Sequence, residues 1–313
     1  MGEKTRQLRL TEAANIEVAP TYEEIIEKHS DEFDRYLSPK ADTFFGFWMQ
    51  TLADLELLDL ELQGLTDEAH IDPLTRTVEF KGDSEFLRVR IAHLEKVRGK
   101  TTLYTDFVDT YGDTNAYAFH NLYPYKGKFY PRVVRTLINA FQLNPGDLIL
   151  DPFNGSGTMT HEATLMGINS VGVDVTPMGV LLSKLKNDLP FLSPEEFEFN
   201  FEDFAEILNR IEKKEWDHPN KTIEKLMLAI YFDTVDAFAR TSRYKKKGKQ
   251  GLFGEKFEYI KDCHKKLLGI KEKYNLEFKK AEIIEADVLE LKTLKGFAGK
   301  FDAIITSPPY FFS

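Results

Sequence analysis

The run Leu148-Ile149-Leu150 leads straight into Asp151-Pro152-Phe153-Asn154-Gly155-Ser156-Gly157-Thr158, and it constrains the fold more than any other part of the chain. Three consecutive apolar residues suit a strand buried on both faces of a parallel sheet. Two glycines close together allow a tight turn, and the helix that follows presents free backbone amides to an anion. The pattern then repeats. A helix over 158–166 stops at Gly167, which tolerates a left-handed cap. Residues 170–174 read as the next strand and 177–187 as the next helix. This alternation begins a doubly wound α/β sheet.

The alternation is interrupted over 188–280. Ser193-Pro194-Glu195-Glu196 combines a capping box with proline at the first helical position. Helices are predicted over 194–214, 222–240 and 255–274, as an insertion in the sheet domain. The sheet resumes with 281–287 and 301–306, giving four strands where such a fold needs several more. Residues 1–115 read as a separate N-terminal α+β module. It opens with a capping box at Thr21-Tyr22-Glu23-Glu24 and a helix reaching Leu37, then a second apolar helix over 43–62. Thr77-Val78-Glu79-Phe80 is a strand entering a turn at Gly82-Asp83, and 86–97 fits strand or helix. An aromatic crossing segment over 111–130, a helix over 133–141 and a turn at Asn144-Pro145-Gly146-Asp147 lead into the sheet. The expected domains are therefore 1–115, then 116–187 together with 281–313, with 188–280 inserted.

Composition excludes several classes. The 313 residues are 42% hydrophobic, enough for a real core. No run approaches the roughly 18 apolar residues of a membrane span. The start Met1-Gly2-Glu3-Lys4-Thr5 has no secretory core, so a cytoplasmic protein is expected. A single cysteine, Cys263, excludes a disulfide framework and a cysteine zinc cluster, and no metal is expected. The formal charge of −10 counts weakly against a nucleic-acid partner. Its distribution matters more. Arg240, Arg243, Lys245, Lys246, Lys247, Lys249 and Lys256 crowd a glycine-containing segment, either a solvated loop or a loop that tracks phosphates.

Two further features carry chemistry. Asp174 closes the second strand, 23 positions after Asp151, where a carboxylate can accept both hydroxyls of a ribose. Asp287 closes the third and could take an adenine amino group. The turn is neither G-x-G-x-x-G nor a P-loop, so dinucleotide and nucleoside-triphosphate readings fall behind. Ser307-Pro308-Pro309-Tyr310, after the fourth strand, suits an exocyclic base amine. Such a nitrogen is a poor nucleophile because its lone pair is delocalised into the ring. Acceptors at Ser307 Oγ and the Pro308 carbonyl would pull it toward tetrahedral geometry, with the prolines holding the backbone outward. Tyr310 would stack on a base rotated out of the duplex.

With these motifs, the chain resembles the amino-methyltransferases of DNA, in particular the group that makes N4-methylcytosine. The likeness covers 123–187 and 281–310. It implies a Rossmann-like methyltransferase sheet, S-adenosylmethionine as cofactor and double-stranded DNA as partner. By resemblance, the segment Tyr125-Lys126-Gly127-Lys128-Phe129-Tyr130-Pro131 lines the methionine end of the cofactor. Asp151, Phe153, Gly155, Ser156, Gly157 and Thr158 match the cofactor loop. Asp174 with Val175 matches the ribose site, and Asp287 with Val288 the adenine site. Ser307 through Tyr310 match the catalytic tetrapeptide. Relatives acting on adenine more often carry Asp or Asn in place of Ser307, which favours cytosine.

The expectation is a site-specific cytosine-N4 methyltransferase of a restriction system. Only three residues follow the tetrapeptide, so a second polypeptide or further segment is expected to complete the sheet. The rivals are an N6-adenine DNA methyltransferase, an RNA guanine-N2 methyltransferase and a non-catalytic DNA-binding subunit.

Overall fold

A computed structural model describes residues 42–199, 203–240, 246–289 and 299–308. The chain divides into two compact units, 1–41 and 42–313. The capping box at Thr21 and the helix expected to reach Leu37 lie outside the described residues. The fold is mixed α/β, with helices and two sheets.

The first sheet is antiparallel. The segment expected as one helix over 43–62 instead starts as strand β1 (Phe44–Phe45), and helix α1 covers Leu52–Leu65. The reason is local. Thr51 adopts extended backbone, and its hydroxyl accepts the amide of Asp54 while Asp54 accepts the amide of Thr51, so the helix is capped there. Phe45, Trp48 and Met49 are buried ahead of that cap. Strands β2 (Glu68–Asp72) and β3 (Thr77–Lys81) follow as a hairpin. The ambiguous stretch 86–97 contains both answers: helix α2 (Ser84–Arg90), capped by Asp83, and strand β4 (Leu94–Val97). Strand β5 (Lys100–Thr101) and helix α3 (Leu103–Tyr111) complete this layer, whose strand order is β2-β3-β1-β4-β5.

The second sheet is parallel. Helix α4 (Pro131–Ala140) opens with proline in its first turn and precedes β6 (Leu148–Asp151), α5 (Thr158–Leu165), β7 (Asn169–Asp174) and α6 (Pro177–Asp188). The last two strands come after the helical segment, which runs differently from expectation. Pro194–Phe197 is a short 3-10 turn, and helix α7 begins only at Asp203 (Asp203–Glu212). The capping box at Ser193 is present, but Phe197 is buried against His264, ring centroids 4.5 Å apart, and Glu198 leaves the helical conformation. Helix α8 (Lys221–Arg240) agrees with the sequence reading. Helix α9 (Gly248–Tyr274) starts seven residues earlier than expected, so Gly251 and Gly254 are helical rather than part of a loop.

Strands β8 (Glu282–Glu285) and β9 (Ala303–Ile304) then give the order β8-β7-β6-β9. Leu150 stands beside Val171 on one side and Ile304 on the other. β6 and β7 therefore sit in the middle, and their carboxyl ends, Asp151 and Asp174, open on the same edge. A large cluster from Phe45 to Phe278 packs the first sheet with α6, α8 and α9. A smaller cluster around Val134, Ile149 and Met159 lies between α4, α5 and β6. Among the described residues, no helix is long and apolar enough to cross a membrane.

Candidate active site

The site starts at the end of β6. The Asp151 carboxylate turns back to accept the Phe153 amide at 3.0 Å and the Thr306 hydroxyl at 2.7 Å, which ties the glycine loop to the segment after β9. It is buried, and that burial pushes its pKa up to about 6 against the lowering effect of those two hydrogen bonds.

Both loop glycines have left-handed backbone, with φ of 50° at Gly155 and 79° at Gly157. A side chain at Gly157 would also run into Ser183. These positions require glycine for conformation and for space. Asp174, at the end of β7, accepts the Gly155 amide at 2.7 Å on one oxygen and the Thr176 amide at 2.8 Å on the other. It is thus oriented and retains acceptor capacity.

These elements enclose a cavity of about 520 Å³. Of the sequence-predicted residues, Phe153, Gly155, Asp174, Val175, Asp287, Val288, Ser307 and Pro308 line it. Residues from four strand ends meet here because parallel strands point their carboxyl termini the same way. Tyr125, Lys126 and Gly127 line it too, whereas Lys128, Phe129 and Pro131 of the same segment do not. Lys128 Nζ donates to the His120 carbonyl at 3.1 Å, Phe129 packs on the cluster beneath α4, and Pro131 is buried in the first turn of α4. Asp151, Ser156, Gly157 and Thr158 do not line it and are all buried. Pro309 and Tyr310 lie outside the described residues.

Sequence reasoning missed Pro152, Thr176 and Ala286 in the lining. Their adjacency to Asp151, Asp174 and Asp287 was the available signal. It also missed a fully buried carboxylate, Glu162 on α5. Tyr117 Oη donates to it at 2.6 Å, His120 Nε2 lies 2.7 Å away, and Arg135 Nε donates at 3.0 Å. Burial pushes the Glu162 pKa up, but Arg135, His120 and Tyr117 outweigh it and hold it below the ordinary value. Burial pushes His120 down to about 4, so it is neutral at physiological pH. This cluster pins the segment leading to Tyr125 onto the helix that starts at the glycine loop.

The basic run is largely matched by carboxylates. Arg240 pairs with Asp236 at 2.8 Å, Lys249 with Glu212 at 3.0 Å, Lys247 with Glu255 and Lys256 with Asp233. Lys246 is exposed. Arg243 and Lys245 lie outside the described residues.

A family model described as DNA methylase matches residues 18–183. Over 67 residues, 21% of this chain, there is 45% identity to the type II methyltransferase M.MjaII of Methanocaldococcus jannaschii, covering 12% of that protein. Over 198 residues, 58% of this chain, there is 28% identity to the type II methyltransferase M.BsoBI of Geobacillus stearothermophilus, covering 39% of it. A shorter match, 43% over 51 residues, is to a tRNA (guanine(10)-N2)-dimethyltransferase of Methanothermobacter thermautotrophicus, 16% of this chain and 15% of that protein. The matched stretches thus span between 12% and 39% of these relatives.

Proposed function

The chain belongs to the DNA methylase family, and on that premise we propose that it serves to transfer a methyl group from S-adenosylmethionine to the N4 amine of cytosine in double-stranded DNA, within a restriction system. One observation carries this reading: Ser307 and Pro308 line the same cavity as Gly155, Asp174 and Asp287. The residues fit the cofactor. Tyr125, Phe153, Val175 and Val288 offer apolar surface to a flat base, and Asp174 and Asp287 offer acceptors to hydroxyls and an amine. The absence of a side chain at Gly155 keeps the wall open to close approach. We read the parallel sheet as the Rossmann-like core of such an enzyme.

When bound, S-adenosylmethionine supplies an electrophilic methyl carbon on a positively charged sulfur. The chain's own residues prepare the nucleophile. Ser307 Oγ and the Pro308 carbonyl accept the two N–H bonds of the target amine, and its lone pair becomes available for in-line displacement. Held by these two acceptors, the amine would take the methyl group in line, leaving a neutral thioether with the electron pair of the broken bond, and one amine proton would pass to solvent. No covalent enzyme intermediate is required. Cys263 is buried, and burial pushes its thiol up to about 11, which does not suit a nucleophile for ring-carbon methylation.

Among the described residues, β9 pairs only with β6, and Ile304 is 59% exposed on it. Unpaired apolar edges are normally covered, so further polypeptide is proposed to complete the sheet. DNA contact by Arg240, Arg243, Lys245, Lys246, Lys247 and Lys249 is likewise a proposal; among the described residues of this set, Arg240, Lys246, Lys247 and Lys249 are all exposed.

The test is methyl transfer to duplex DNA, by the chain alone and with its genetic neighbour, followed by mass spectrometry of the nucleosides. N4-methylcytosine is expected. N6-methyladenine, or label confined to RNA, overturns the assignment. In the same system, Asp174→Ala is expected to weaken cofactor binding about 10- to 100-fold, the equivalent of losing a charged acceptor. Unchanged affinity by calorimetry would remove Asp174 from the site.

A further inference from the structure

Lys186, on α6, is buried directly behind the glycine loop, with 1% of its surface exposed. Its Nζ donates to Ser156 Oγ at 3.2 Å, the residue held between the two left-handed glycines. An ammonium has three protons to place and a charge to balance. Among the described residues, Lys186 forms no ion pair. The groups around it do not supply an anion. Lys128, from the segment that continues Tyr125-Lys126-Gly127, is a second cation close enough to disfavour the charge on Lys186. His120 and His161 offer no negative charge, and burial first and Lys186 further hold both below the ordinary histidine value. Glu162, next to His161 on α5, is already taken by Arg135, His120 and Tyr117.

Burying an amine without an anion is unfavourable, and Lys186→Met would fill nearly the same volume without that penalty. A residue that weakens the fold at such a place implies a charge that arrives later. The loop it braces forms part of the cavity wall at Gly155, and Gly127 lines the same cavity. Ser156 leads through Gly157 into the first turn of α5, whose amides favour negative charge.

We propose that Lys186 is a positioning residue for an anionic group of the ligand, the carboxylate of an amino-acid moiety, acting through Ser156 on the glycine loop. The inference rests on the cavity being the S-adenosylmethionine site. Lys186 does not touch the reacting atoms. It sets the Ser156 hydroxyl, and although burial and Lys128 hold its pKa well below the ordinary lysine value, a carboxylate seated at Gly155 and Gly127 would favour the charged form of Lys186 behind the loop.

The test compares two probes by calorimetry. S-adenosylhomocysteine carries the carboxylate, and 5′-methylthioadenosine has the same nucleoside and thioether without it. Lys186→Met is expected to keep the fold, with an unchanged or higher melting temperature. It should lose at least about tenfold in affinity for S-adenosylhomocysteine and keep its affinity for methylthioadenosine. Ser156→Ala is expected to show the same selectivity with a smaller loss. Equal loss of both probes assigns Lys186 a merely structural role and overturns the proposal. Unchanged affinity for both overturns it as well. If the parent chain binds neither probe, the cofactor reading fails together with this one, and that outcome is distinct from the other two.

Discussion

Glu162→Ala is expected to remove a large part of the protein's stability. The carboxylate is completely buried and receives Tyr117, His120 and Arg135. Removing it strands the Arg135 guanidinium, itself completely buried, and two of that group's nitrogens already lack a protein partner. Breaking a buried ion pair from one side costs about 3–5 kcal/mol, against a total stability of about 5–15 kcal/mol for a typical domain. The folded-state pKa of Glu162 is depressed, so its contribution is present above the ordinary carboxylate range and is lost as pH falls through it. Urea titrations at pH 7 measure the effect. A loss below about 1 kcal/mol would mean that water, not Glu162, satisfies Arg135.

Asp151→Asn should act in opposite directions on stability and on binding. The Asp151 pKa is raised, from 3.8 to about 6, chiefly by burial. A raised carboxylate pKa means that the folded state prefers the proton. Its stability contribution is complete below 3.8 and is lost as pH rises through about 6. At pH 8 the ionised group therefore costs about 2–3 kcal/mol, and Asn, which keeps an oxygen for Phe153 and Thr306, removes that cost. The variant should be more stable than the parent at pH 8, with about a third of that gain at pH 4.5. It should also bind S-adenosylmethionine more weakly, because a negative charge beside a cationic ligand is gone. Thermal unfolding at the two pH values, with calorimetry at pH 8, checks both signs. A variant no more stable at pH 8 than at pH 4.5, relative to the parent, would show that burial does not control Asp151. Retention of an acid that the fold disfavours is the usual compromise between stability and activity.

The contrast between these two residues separates what local pattern reveals from what packing decides. Asp151 was legible because it ends an apolar run at a glycine turn, and both features act over a few residues. Asp174, Asp287 and Ser307 were legible for the same reason: Asp174 ends β7, Asp287 and Ser307 follow β8 and β9 by two and three residues, and parallel strands deliver their carboxyl ends to one edge. Glu162 and Lys186 look in the sequence like ordinary polar residues of amphipathic helices. Their burial exists only once α5 and α6 pack against one another and against the segment from Tyr117 to Lys128.

Periodicity also failed where side chains from distant segments compete. The apolar stretch around Phe44 would support a helix, yet it pairs with Thr77 and Lys96 and leaves the helix to begin at Thr51. The segment from Tyr125 to Pro131 was expected to face the cofactor through Lys128, Phe129 and Pro131. Pro131 instead commits to α4 and Phe129 to the cluster beneath it, and the cavity is left with Tyr125, Lys126 and Gly127. Arg240, Lys247, Lys249 and Lys256 read as a basic run, but their carboxylate partners lie 4 to 37 positions away and reach them through helical turns or contacts between helices.

By itself, then, the sequence determined the strand, glycine loop and helix at 148–165 and the carboxylates at the strand ends, because backbone conformation and short-range hydrogen bonds settle them. Only the tertiary structure decided which side chains enter the cavity, which cations are neutralised and which charges are shut inside. Those outcomes depend on desolvation, and desolvation is set by whatever part of the chain happens to pack on top.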